Sequence, residues 1–114
     1  MTDTTTAFFR RLETRGHEPV LKRAKGTLRF DLTDGGKQTA RWVIAIEKGN
    51  VVVSHKNTKA DCVVRADRTL FDRIASGKEN AMAAVLRGAL NIEGDPALLV
   101  WFQRLLPSPP RSAR

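Results

Sequence analysis

Two histidines, His17 and His55, and a single cysteine, Cys62, are the residues whose types could do nucleophilic chemistry in this 114-residue chain. A thiol becomes a good nucleophile beside an imidazole that takes its proton. Cys62 lies in the stretch ADCVVRAD, where alternation puts Cys62, Val64 and Ala66 on one face. An inward cysteine of that kind is ordinarily inert packing. His17 follows the first helix and His55 ends a strand, and neither sits in a nucleophile motif. There is no G-x-S-x-G and no clustered set of His, Cys or carboxylate ligands for a metal. The stretches GDPALL and TDGGKQ do not match the phosphate-cradling G-x-x-x-x-G-K-[ST] pattern, and read as turns and caps. We therefore expect no catalytic residue, no metal, no cofactor and no enzyme. A Cys62/His55 pair acting on acyl thioesters is the competing reading.

The elements that must position these residues follow from periodicity. A first helix, capped by Asp3 or a following threonine, runs to about Arg15 with Phe8, Phe9 and Leu12 on its apolar side, and Gly16 stops it. Leu28, Phe30 and Leu32 alternate with polar residues as in a half-buried strand. Asp34-Gly35-Gly36 turns into a second strand bearing Trp42, Ile44 and Ile46, and Lys48-Gly49-Asn50 turns into a third, Val51–Val53. These tight turns predict antiparallel hairpins. Cys62, Val64 and Ala66 mark a fourth strand. Asp67 caps a short helix with Leu70, Phe71 and Ile74 apolar, and Asn80 caps another with Met82, Val85 and Leu86 apolar. A fifth strand holds Leu90 and Ile92. Asp95 and Pro96 then start a last helix. Strands grouped between helices predict an α+β fold, a five-stranded, mostly antiparallel sheet with helices on one face. The domain spans residues 1–107, and 108–114 form a proline-rich flexible tail.

Twenty Lys and Arg against twelve Asp and Glu give a net charge of +8. Such an excess attracts polyanions without choosing among them. Single-strand nucleic-acid binders interleave aromatics with basic residues. Here Phe30 and Trp42 share faces with Leu and Ile, tyrosine is absent, and no nucleic acid is expected. One cysteine allows no intrachain disulfide, the N-terminus lacks a signal-peptide pattern, and no apolar stretch approaches the ~20 residues that span a bilayer. A cytoplasmic protein is expected. The last helix is the unusual feature. From Ala97 to Leu106 only Gln103 and Arg104 are polar, and Leu98, Leu99, Trp101, Phe102, Leu105 and Leu106 spread over an arc of about 160°. A helix packed on a core needs a stripe of only about 100°. Its second side can meet a neighbouring helix, a second subunit or an apolar ligand.

The stretches GTLRFDLTDGG, KADCVVRAD and FDRIASGKENAMAAVLRGALNIEGD, with Trp42 between them and the final helix after them, resemble the sterol carrier protein 2 family in order and spacing from about Leu21 to Pro107. That resemblance implies an apolar tunnel between sheet and helices, and a non-catalytic carrier of sterol-like lipid, fatty acid, fatty acyl-CoA or phospholipid. It implies a tunnel lining of Phe30, Trp42, Ile44 and Val64 from the sheet, Phe71, Ile74, Met82 and Leu86 from the middle helices, and Leu98, Phe102 and Leu105 from the last. Between Trp101 and Phe102, Phe102 is expected to face the tunnel. Where members often carry Phe-Phe-Gln before a glycine, this chain has Val85-Leu86-Arg87. Arg87 is then a head-group contact at the mouth or an exposed helix end. Arg10, Arg11 and Arg15 are candidates for contact with an anionic membrane. A monomer or weak dimer is expected. The alternative is an accessory protein that docks on a lipid- or quinone-biosynthesis enzyme through its apolar last helix.

Overall fold

The computed structural model describes residues 4–106. The tail assigned to residues 108–114 and the capping role of Asp3 lie outside them. The elements are α1 (Thr4–Arg15), a short 3-10 turn (Pro19–Leu21), β1 (Lys25–Asp34), β2 (Lys37–Glu47), β3 (Asn50–Ser54), β4 (Cys62–Asp67), α2 (Arg68–Ala75), α3 (Ala81–Leu86), β5 (Asn91–Gly94) and α4 (Pro96–Gln103). Every element expected from the sequence is present, in the expected order. The last helix stops at Gln103, earlier than its apolar run, and a turn carries Leu105 and Leu106.

The sheet order is β3-β2-β1-β4-β5. The pairs β1/β2, β2/β3 and β4/β5 are antiparallel, and β1/β4 is parallel. Register sets the inner face. Phe30 lies opposite Trp42 on one side and Val64 on the other, and Leu28 lies between Ile44 and Cys62. All six are buried. The outer face is organised by Asp31, which is buried at 3% exposure and stands opposite Arg41 and Arg65 in the two ladders. It accepts from Arg29 Nη2 at 3.1 Å and Arg41 Nε at 3.3 Å, with Arg65 Nε at 3.9 Å. A buried carboxylate at the centre of a sheet needs such partners.

The helices cover the inner face, and their ends follow side-chain capping. The Asp67, Asn80 and Asp95 side chains accept from Thr69 N–H, Ala83 N–H and Ala97 N–H. Asp61 locks the crossover: its carboxylate accepts from Thr27 N–H, its own N–H donates to the Thr27 carbonyl, and its carbonyl accepts from Asp95 N–H. Two glycines make this packing close. A Cβ on Gly94 would collide with the Asp61 carbonyl, and one on Gly26 would lie 2.8 Å from Leu98 Cδ1. The last helix can therefore lie directly over the start of β1.

Candidate functional site

Between sheet and helices the space is filled by aromatic rings. Phe30 and Trp42 rise from β1 and β2, Phe71 comes from α2, Phe102 from α4, and Phe8 and Phe9 from α1. Phe9 is at the centre. Its ring is stacked on Trp42 at 4.7 Å and on Phe71 at 5.7 Å, and lies 5.4 Å from Phe30, 5.4 Å from Phe8 and 6.4 Å from Phe102. Aromatic pairs at these separations add to the burial of their large apolar surfaces. Ile44, Val64, Ile74 and Leu98 close the remaining sides, all at 3% exposure or less.

Of the lining residues expected from sequence, Phe30, Trp42, Ile44, Val64, Phe71, Ile74, Leu98 and Phe102 meet in this one interior. Met82 and Leu105 pack against its rim, half-buried. Phe102 is fully buried and Trp101 half-buried. Leu86 corrects the expectation. It is 85% exposed and lines nothing in the interior. The inward side of α3 is Ala81 and Ala84, whose small side chains let this short helix sit close, and Leu86 falls on the opposite side. Arg87 stands exposed at the C-terminal end of α3, the second of the two places expected for it. It pairs with Glu79, which also pairs with Arg73 Nη2 at 3.3 Å. The Arg87 hydrogen bond holds the Glu79 carboxyl below its usual range.

A basic rim exists at a different place. Along the seam between α1 and the end of α4 lies a cleft of about 310 Å³, lined by Phe8, Leu12, Val20 and Leu105 with Arg11, Arg15, Glu18 and Arg104. One of its lining residues, Phe8, packs edge to face on Phe102 of the interior at 5.7 Å. Arg15 pairs with the buried Glu18 at 3.1 Å, and Arg104 lies over the Trp101 ring at 4.9 Å. Three guanidiniums against one carboxylate leave the cleft positive. Arg10, Arg11 and Arg15 are all exposed on α1. The sequence reading missed Phe9 and Arg104 as site residues. The signal for Phe9 was the apolar side of the first helix. Arg104 is one of only two polar residues in the apolar run, and that was its signal.

The groups that could do chemistry are not brought together. His55 Nδ1 lies 2.7 Å from the Arg41 carbonyl oxygen and its ring packs on Trp42 at 4.2 Å, while Cys62 is fully buried on the inner face of β4. Burial pushes the Cys62 thiol up to about 11, with the Asp95 charge adding to it, which is opposite to what a nucleophile needs. Among the described residues no group of three or more His, Cys, Asp or Glu could hold a metal ion, and no helix is long and apolar enough to cross a membrane. Of the wide apolar arc of the last helix, Trp101 and Leu105 are half-buried. Leu98, Leu99, Phe102 and Leu106 are buried, with α4 lying on β1 and β4 and Phe102 meeting Phe8 of α1, and Val100 is 49% exposed.

This architecture has known counterparts. The model of the SCP-2 sterol transfer family matches residues 6–107. Among solved structures, sterol carrier protein 2 from Yarrowia lipolytica in its apo form aligns with a TM-score of 0.72 and 18% identity, covering 90% of this chain and 88% of that one. The sterol carrier protein 2 of Aedes aegypti, solved in complex with palmitate, aligns with a TM-score of 0.68 and 21% identity over 93% of this chain and 99% of that one. A curated relative, hydroxysteroid dehydrogenase-like protein 2 of Xenopus tropicalis, is 29% identical over 86% of this chain. The chain spans about a quarter of that relative's length, 24%.

Proposed function

The chain belongs to the SCP-2 sterol transfer family, a family of lipid-binding and lipid-transfer domains, and from that premise we propose that it carries one lipid chain between its sheet and its helices. The observation that carries this reading is the cleft at the α1–α4 seam, where apolar side chains, among them Phe8 packed on Phe102 of the aromatic interior, meet a guanidinium rim. Burial contributes about 25 cal/mol per Å² of apolar surface, so an acyl chain needs few directed contacts. The rim suits an anionic head group. A fatty acid, an acyl-CoA or a phospholipid fits better at this end than an uncharged sterol. Arg11 and Arg104 take the head-group role first considered for Arg87, because Arg87 is engaged with Glu79. The exposed Arg10, Arg11 and Arg15 give α1 a surface for anionic membranes, at about 1 kcal/mol per basic residue near such a surface. The carrier reading is favoured over catalysis by the separation of His55 from the buried, protonated Cys62.

Native mass spectrometry with palmitate and with hexadecanol tests this. The two ligands share a chain and differ in head-group charge. The expected result is a one-to-one complex with each. Arg11→Glu/Arg104→Glu should weaken the palmitate complex by roughly tenfold, the scale of one charge-assisted contact, and leave the hexadecanol complex unchanged. Absence of a complex with either ligand would overturn the carrier reading. Equal weakening of both would overturn the head-group assignment.

A further inference from the structure

We propose that α1 is a lid and that Phe9 is its plug, an internal occupant of the place the lipid chain takes. The proposal rests on the carrier reading above and concerns how that same site is regulated. Phe9 is the only ring within stacking or edge distance of all five other rings of the interior. It is fully buried, and it comes from the helix that borders the cleft rather than from the sheet. A chain entering from the cleft meets Phe8 and Leu12 first and Phe9 behind them, all on one side of α1. Those three side chains pack into the buried cluster between sheet and helices. It opens by moving the helix that supplies them.

The ends of α1 are built for such a movement. At the N-terminal end Thr5 is buried, and the Asp72 carboxylate of α2 accepts both its N–H at 3.2 Å and its hydroxyl at 2.5 Å. That pair is a latch between two helices, and it supplies one of the N–H partners that a helix start lacks. At the other end Gly16 takes a φ of +66°, a left-handed conformation that glycine adopts at little cost, and its carbonyl accepts from Val51 N–H of β3 at 2.9 Å. Gly16 is thus a hinge fixed to the sheet. Swinging on it would carry Phe8, Phe9 and Leu12 outward together with Arg10, Arg11 and Arg15. A lipid surface compensates this exposure, because it takes up apolar side chains and attracts the arginines around them.

A reversible crosslink tests the lid. Thr5→Cys/Asp72→Cys places two thiols where the latch residues now touch, and oxidation closes it covalently. Uptake of cis-parinaric acid is followed by fluorescence before oxidation, after oxidation and after dithiothreitol. The expected result is uptake slowed by about tenfold or more in the oxidised form, the signature of a gating step, and restored on reduction. Equal rates in oxidised and reduced forms would overturn the lid while leaving the carrier reading intact. Failure of the unaltered chain to take up the probe would overturn the carrier reading itself. Hydrogen exchange of the unaltered chain is independent of that variant. Added palmitate should lower the protection of the Phe8–Leu12 amides relative to those of β1. Unchanged or raised protection in α1 would contradict the proposal.

Discussion

Cys62 illustrates how burial decides the chemistry of a residue. Its thiol is pushed up to about 11, chiefly by desolvation and secondarily by Asp95. Because the folded value lies above the ordinary one, the fold favours the neutral thiol. That contribution is fully present below about pH 9 and is lost as pH rises towards about 11. Iodoacetamide at pH 8 should leave native Cys62 unmodified over a time that alkylates the unfolded chain completely. Part of the fall in Tm between pH 9 and pH 11 should vanish in Cys62→Ala. Rapid alkylation of the native protein would show a reactive thiol and reopen the acyl-thioester reading. Its inward position was legible from the alternation of Cys62, Val64 and Ala66. The environment of Asp31 was not, because its partners Arg41 and Arg65 come from two other strands, and only register shows them to be neighbours. The Glu79–Arg87 pair escaped notice for a similar reason: it spans α3, from Glu79 in the turn before the helix to Arg87 at its C-terminal end.

At the scale of elements, strands and caps were readable because each is set by local chemistry. The period-2 runs of β1, β2 and β4 and the caps Asp67, Asn80 and Asp95 fall where the sequence puts them. The short α3 was not readable in the same way. Six residues offer two apolar sides, Ala81 with Ala84 and Met82 with Leu86, and side-chain size favours the wrong one. Close approach to the core is what selects the alanines. Leu86→Ser should therefore change stability by less than about 0.5 kcal/mol, whereas Ala84→Leu should cost about 1–3 kcal/mol by overpacking. Urea denaturation of the two variants measures both, and a large loss for Leu86→Ser would contradict the observed orientation. The wide arc of α4 left its second side open, and in the fold one flank lies on the sheet while Phe102 meets Phe8 of α1. Helix–helix neighbours of this kind depend on how a chain returns over the sheet, which no local pattern records.

For the whole molecule, the family resemblance and the bottom-up order of elements lead to one architecture, a mixed five-stranded sheet with helices over one face. Most of the interior was legible, since Phe30, Trp42, Phe71 and Phe102 sit on strand and helix faces that had to be inward. The contribution of α1 to that interior was harder to see. Its apolar side reads as ordinary core until Phe9 is found between Trp42 and Phe71. The basic excess of +8 likewise gains a location only in three dimensions, where Arg11 and Arg15 of α1 and Arg104 of the turn after α4 converge on one cleft. The proposed carrier seats the lipid chain in the aromatic interior, with the cleft as its entrance. The most direct measurement is an isotope-filtered NMR experiment on the protein with ¹³C-labelled palmitate. The account predicts contacts from the chain methylenes to Phe71, Ile74 and Phe102, with the carboxyl end near Arg11 and Arg104. Contacts confined to exposed residues such as Leu86 and Val100, with the interior signals unmoved, would contradict it.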